Sequence, residues 1–264
     1  MIHNSITITR PENVHLEALP YKYPMRNSYT LAAEIRQIGE CVAKGYPRLA
    51  LQPLRSDWCS IVGFGPSLHD TWREIENPAM TTSGAHDFLI ERGLVPFWHA
   101  ECDGRDHKTK HLEHPHQDCV YLMATICNPL MWKQLEGHKV WRWHCANGQH
   151  VVEWIGKNDD GAILIAGGST VGLAAIHLAG ILGFRKFRIF GFDGNYREGV
   201  RHAGKHYGPP QKRIEHKIGG RTWVTTPQMY NACDEFTWLL ADKNLMFDIR
   251  GDSMLKAMID AGIQ

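Results

Sequence analysis

C-x-x-C pairs are absent from this sequence, although seven cysteines are spread along its 264 residues. An odd, scattered set of thiols argues against a disulfide framework and against a zinc knuckle, and for reduced cysteines. Long apolar runs are missing too. Nothing approaches the roughly 18 residues that a membrane span needs, and Met1 to Arg10 lacks the basic start and apolar centre of a signal peptide. A cytoplasmic protein with no membrane partner is therefore expected. Net charge is almost nil, +1 in all, so the molecule as a whole has no electrostatic grip on nucleic acid. No internal repeat and no low-complexity tract is visible.

What is there is globular material, 43% hydrophobic and 22% charged, enough to bury a sizeable core. Residues 1–55 read as an N-terminal extension, rich in proline, with one helix over Tyr29 to Ala43 in which Leu31, Ile35, Ile38 and Cys41 recur at helical spacing. From Trp58 the pattern changes. Short apolar runs ending in glycine or polar turns alternate with helical stretches, which predicts β-α units and a mostly parallel sheet flanked by helices over 56–264.

The expected strands are Cys59 to Gly63, Ala79 to Ser83, Phe97 to Cys102, Val120 to Ala124, Val140 to Trp143, Ala162 to Ala166, Phe187 to Phe190 and Leu245 to Ile249. The expected helices are Leu68 to Ile75, Ala85 to Glu91, Leu130 to Leu135, Val171 to Leu182 and Pro227 to Leu240. Arg221 to Val224, following Gly219-Gly220, reads as half of a hairpin on an inserted flap.

Four motifs carry chemistry. Ile61-Val62-Gly63-Phe64-Gly65-Pro66-Ser67-Leu68 is a buried strand breaking into a glycine turn and a helix. Such a turn lets the backbone approach an anion, and Ser67 can cap the helix whose first amides face it. It has neither the full dinucleotide spacing nor a Walker lysine. A tight structural turn is the alternative. The second motif, Ala166-Gly167-Gly168-Ser169-Thr170-Val171-Gly172, repeats the strand, glycine, hydroxyl and helix order. Two such turns predict a crevice at a topological switch point.

The third motif is Gly191-Phe192-Asp193-Gly194, with Gly199 and His202-Ala203 beyond it. A carboxylate at a strand's C-terminal end lies where α/β proteins bind ligands, and His202 is placed to fold back beside Asp193. Otherwise Asp193 caps a turn and His202 lies on the surface. Between Arg185 and Arg221 stand ten Lys or Arg against three acids, a local excess that suits an anionic small-molecule substrate. The fourth motif, Glu101-Cys102-Asp103-Gly104, puts Asp103 at another strand end, suited to a ribose hydroxyl or hydrated magnesium. His107, His111, His114 and His116 follow without a supporting ligand pattern, so a polar loop with no transition metal is expected there.

These motifs, in this order over roughly Cys59 to Gly251, resemble those of the MptE-like family, which includes archaeal 6-hydroxymethylpterin diphosphokinases and the central domain of motility accessory factors. The first motif and the Gly-x-Asp element are also similar to those of bacterial sialyltransferases. The resemblance implies a Rossmann-like α/β fold and a nucleotide-dependent transferase. Its donor would be a nucleotide sugar, CMP-linked for example, or ATP, with or without magnesium. Gly63, Gly65, Pro66, Ser67, Gly167, Gly168, Ser169 and Thr170 would hold the donor, Asp103 would assist the ribose or a metal, and Asp193 and His202 would be catalytic. His99 and Cys102 stand where the diphosphokinase branch is more acidic, and the spacing from Asp193 to His202 favours glycosyl transfer. A non-catalytic nucleotide-binding or assembly protein is the reading of a different class.

Overall fold

The computed structural model describes residues 30–165, 168–205, 207 and 211–263. Its centre is a sheet of eight strands, all pairing in parallel: β1 (Trp58–Val62), β2 (Ala79–Thr82), β3 (Trp98–Glu101), β4 (Val120–Ala124), β5 (Lys139–Cys145), β6 (Leu164–Ile165), β7 (Lys186–Phe190) and β10 (Met246–Ile249). Their order is β10-β7-β1-β2-β3-β4-β5-β6. The chain steps outward from β1 to β6, then returns to lay β7 on the other side of β1. The switch point therefore lies between β1 and β7, where loops leaving the C-terminal ends diverge. This is the Rossmann-like α/β fold that the alternation of elements implied.

Burial on both faces explains why the strands read as continuous apolar runs. Cys59 to Val62 and Ala79 to Thr82 are buried throughout. The return crossover is α6 (Val171–Ile181), buried at every position from Gly172 to Ile181 and packed over β1, β2 and β3. Its small residues bring its axis close to the sheet, and Thr170 caps it by accepting from Leu173 N–H. The other helices are α1 (Leu31–Ala43), α2 (Leu68–Thr71), α3 (Ala85–Ile90), α4 (Pro129–Gln134), α5 (Gln149–Asn158), α7 (Pro227–Leu239) and α8 (Met254–Asp260). The flap is the insertion between β7 and α7, and it carries a hairpin of β8 (Ile214–Ile218) and β9 (Arg221–Thr225). Gly219 and Gly220 both turn at positive φ, the conformation a two-residue hairpin with the right twist demands.

Several boundaries differ from expectation for local reasons. The helix expected over Leu68 to Ile75 is α2 followed by a 3₁₀ turn at Trp72–Glu74. Thr71 Oγ1 donates to the Ser67 carbonyl at 3.1 Å, a back-bond that bends helices. The strand expected over Ala162 to Ala166 shortens to Leu164–Ile165, and Ala166 lies outside the described residues, as does Tyr29 at the start of the expected first helix. In α1, Ile38 and Cys41 are buried as the spacing requires, whereas Leu31 is exposed. Helices α5 and α8 and a 3₁₀ stretch at Asp106–His111 were not anticipated.

Residues before β1 are tied to the far edge of the sheet. Leu49 N–H donates to the Arg142 carbonyl and Arg142 N–H to the Pro47 carbonyl, both at 2.8 Å, so the segment extends the sheet beside β5. Asp159, at the end of α5, binds Arg48 and Arg142 and accepts from His144 Nε2 at 2.8 Å. Burial disfavours the charged imidazole of His144. Its neutral ring donates through Nε2 to Asp159 and accepts through Nδ1 from Thr125 Oγ1 at 2.7 Å. Burial alone would raise the Asp159 carboxyl, but the bonds from Arg142, His144 and Arg48 outweigh it and hold the group well below the usual carboxylate range.

Removing Asp159 strands the buried Arg142 and releases Arg48, so Asp159→Ala should cost about 3–5 kcal/mol in denaturant unfolding. The folded chain resists protonating this carboxyl more than the unfolded chain does. Its contribution is thus complete above the ordinary carboxylate pKa and is lost as pH falls through and below it. Melting curves should show that acid loss in the wild type and a shallower one in Asp159→Asn.

Candidate functional site

Three glycine turns converge at the C-terminal edge around the switch point, and the chain's own side chains fill them. After β1, Gly65 N–H donates to the Gly191 carbonyl at 2.8 Å, so the first and third motifs lie against each other. Asp193, almost fully buried, accepts from Ser67 N–H at 2.6 Å and from Ser67 Oγ at 2.5 Å. A Cβ on Gly65 would stand 2.6 Å from the Asp193 carboxyl carbon. The expected anion cradle of Gly63, Gly65, Pro66 and Ser67 thus holds an internal carboxylate. Ser67 spends its hydroxyl on Asp193 and makes no cap bond within α2. Burial pushes the Asp193 carboxyl up to about 6, against the two Ser67 bonds that favour its charge.

The second turn is closed only in part, since the buried Ser169 Oγ has no partner among the described residues. Glu235 of α7 accepts from Ser169 N–H at 2.7 Å and is itself held by Asn231 at 2.8 Å. Gly168 stands beside it at positive φ, and Thr170 is spent on capping α6. Gly167 lies outside the described residues. Asp103 is engaged as well. It takes three bonds from the Arg105 backbone and guanidinium besides the closest guanidinium contact, and Lys108 stands at 3.8 Å. Burial would raise its carboxyl, but these cations keep it below the usual range. Both oxygens are thus committed to cations, an arrangement that does not fit a hydrated magnesium ion. Among the described residues no three His, Cys, Asp or Glu side chains gather as a metal site would require.

Two phenylalanines explain why glycine recurs here. A Cβ on Gly63 or on Gly172 would stand 2.8 Å from the ring of Phe192, which is wedged between the first turn and the start of α6. Phe64 is likewise wedged between Gly84, at the start of α3, and Gly204 in the flap. The flap is drawn onto the first turn by this wedge. Ala203 N–H donates to the Phe64 carbonyl at 2.9 Å, and the His202 ring stacks on Phe64 with centroids 5.6 Å apart.

The surface that results was only partly foreseen. His202 does fold back to the first turn, where its half-buried ring stacks on Phe64, while Asp193, expected as its catalytic partner, is buried and bonded to Ser67. On the other side of Phe64 stands His111, 6.2 Å between centroids, and beyond it Tyr207 at 5.4 Å. Lys110 and Lys205 lie 5.3 and 5.5 Å from the Tyr207 ring, and among the described residues neither meets a carboxylate. The basic excess of the flap is smaller than its sequence count. Arg188, Arg197 and Arg221 pair with Glu76, Asp70 and Asp252 from other elements. Sequence reasoning missed Lys110 and Tyr207 because their partnership spans two loops nearly a hundred positions apart, and it missed the role of Phe64 although the flanking glycines were its signal.

A parallel α/β sheet with glycine turns packed at its switch point, roofed by a basic aromatic surface, defines a Rossmann-like α/β protein. A family described as 6-hydroxymethylpterin diphosphokinase MptE-like matches residues 35–199, and the chain belongs to this MptE-like family. The fold is shared with a solved structure described as the MAf glycosyltransferase from Magnetospirillum magneticum AMB-1, with a TM-score of 0.61 and 14% identity. That likeness covers 87% of this chain and 41% of the other, so the chain spans well under half of that protein. A comparison with curated proteins finds no match. No helix among the described residues is long and apolar enough to cross a membrane.

Because the first turn is closed by protein atoms, Gly65→Ala should lower stability by about 1–3 kcal/mol, the usual cost of overpacking. A thermal melt of the free protein checks this. A variant that kept its melting temperature and lost only ligand affinity would restore the open cradle expected from sequence.

Proposed function

We propose that this protein is a transferase acting on a nucleotide-activated donor, with glycosyl transfer ahead of diphosphate transfer. The observation that carries the reading is the cluster of His202, His111, Tyr207, Lys110 and Lys205 around Phe64, directly above the switch point where α/β sheets bind ligands. The half-buried rings of Phe64, His202 and Tyr207 offer flat faces to a base or a sugar, and two exposed ammonium groups suit the phosphate of a donor. In this reading an acceptor hydroxyl attacks the activated carbon, the bond from that carbon to the donor's phosphate oxygen breaks, and His202 takes the hydroxyl proton. Lys110 and Lys205 balance the charge that develops on the leaving phosphate. Glycosyl transfer is preferred because it can proceed on such cations alone. Diphosphate transfer from ATP is less well served, since Asp103 is occupied by Arg105 and Lys108.

The family membership supports a transferase, and the solved neighbour is described as a glycosyltransferase over a longer chain. A thermal-shift screen with ATP, CMP, CMP-sugars and UDP-sugars tests the donor, because a ligand bound only by the folded state raises the melting temperature. A CMP-linked sugar is expected to give the largest shift. A shift from ATP with magnesium alone would move the reading to diphosphate transfer, and binding without turnover would make the protein a nucleotide sensor.

His202→Ala should leave donor affinity nearly intact and slow turnover by about 10² to 10⁴. Lys110→Ala and Lys205→Ala should instead weaken donor binding, up to about fivefold each, and the loss should shrink at high salt. Steady-state kinetics with salt titration separates the two roles. If His202→Ala turned over at the wild-type rate, its role as base would be wrong.

A further inference from the structure

The middle of the sheet carries two polar groups that nothing above uses. On β3, His99 and Glu101 alternate with the apolar Ala100, so both stand on the face away from α6, about 6.6 Å apart along the strand. Each is fully buried, and among the described residues neither His99 Nε2 nor Glu101 Oε2 has a hydrogen-bond partner. Buried polar atoms are nearly always paired, so two orphans on one face of one strand require a reason.

Neighbouring strands do not supply one. Glu101 lies opposite Met123 of β4, which is apolar, and its Oε1 accepts from the adjacent Cys102 N–H at 3.0 Å. The hydroxyl of Tyr121, opposite His99, is engaged by His86 and by His116 N–H. Thr81 Oγ1 lies 3.3 Å from the Trp98 carbonyl and 3.1 Å from His99 Nδ1. Thr81 thus engages Nδ1 and leaves Nε2 without a partner. Burial, with His86 and His111 nearby, keeps that ring uncharged.

Two unpaired polar atoms two residues apart at the C-terminal end of a central strand call for a ligand whose groups both donate and accept, as hydroxyls do. We infer that His99 and Glu101 form a subsite for a polyhydroxylated group, a ribose or the transferred sugar, admitted when the segment from Cys102 to Leu112 moves aside. That segment carries Arg105 and Lys108, the cations nearest Glu101, and leads into Lys110 and His111 of the surface above. The subsite thus adjoins the proposed donor site from below. This inference rests on the transferase reading for the identity of the ligand and on geometry alone for the role of the pair.

Two measurements test it. The ligand-free, full-length chain is melted beside Glu101→Met and His99→Phe. The orphaned atoms add nothing to the free protein, and relief from burying a polar group offsets the bonds to Cys102 N–H and Thr81 that the substitutions remove, so both variants should melt near or above the wild-type temperature. A marked fall, or failure to fold, would make the pair part of the scaffold and overturn the inference. Calorimetric titration then uses CMP, 2′-deoxy-CMP and a CMP-linked acidic sugar. A ribose contact appears as about 10- to 100-fold weaker binding of the deoxy nucleotide by the wild type, a difference that Glu101→Met erases and the isosteric Glu101→Gln reduces. A contact to the sugar appears as loss, in the same variants, of whatever affinity the sugar adds to CMP. Variants that bind all three probes as the wild type does overturn the inference. A wild type that binds none of them sinks the transferase reading, and the melting comparison then decides the β3 pair by itself.

Discussion

The bond between Asp193 and Ser67 governs the geometry of the whole C-terminal edge, because it joins the two loops that the topology drives apart. At a switch point the loop after β1 leaves in one direction and the loop after β7 in the other, and in many α/β proteins a ligand sits in the gap. Here the gap at the level of the backbone is closed by a carboxylate that takes both protons Ser67 can offer. The third motif is anchored behind it as well, since the Asp193 carbonyl accepts from Leu255 N–H and the Asn195 side chain from Met254 N–H. A short helix with unsatisfied amides and a buried charge resolve each other's cost.

That closure moves the recognition surface outward. With the first turn closed by Asp193 and the second in part by Glu235, the groups left to meet a ligand are side chains rather than backbone amides. Phe64 is the link between the two levels. It belongs to the first turn, yet its ring reaches up between Gly84 and Gly204, and the flap lays His202 on it. The glycines therefore serve aromatic packing as much as close approach to an anion. Any substituent at those positions would displace a ring and, with it, the imidazole and the lysines grouped around that ring.

The far edge of the sheet is organised by a second buried carboxylate with a different task. Asp159 binds cations from β5 and from the segment before β1, and thereby fixes that segment beside the sheet. Its environment lowers the carboxyl pKa, whereas that of Asp193 raises it. The contrast follows from partners: two guanidinium groups bond to Asp159 and outweigh its burial, whereas the bonds Asp193 accepts come from the neutral Ser67 and do not. Glu101 extends the series to a carboxyl raised by burial and lacking a partner for one oxygen.

Much of the fold was legible in the residues alone. Continuous apolar runs bounded by glycine mark strands buried on both faces, and the small, wholly apolar run from Val171 to Ile181 marks a helix enclosed on all sides. The Gly219-Gly220 turn announced its hairpin for the same local reason. These are properties of short windows, where period and steric freedom act over a few residues. Asp193, Ser67 and Gly65 could be singled out as one site because each motif ends a strand, but not that they satisfy one another, since 126 positions separate donor from acceptor. The neutralisation of Arg197 by Asp70 and the meeting of Lys110 with Lys205 over Tyr207 are of the same kind. A count of charge or hydroxyls along the chain records which groups exist, and only the packed sheet decides which of them have already found partners and which remain to bind something else.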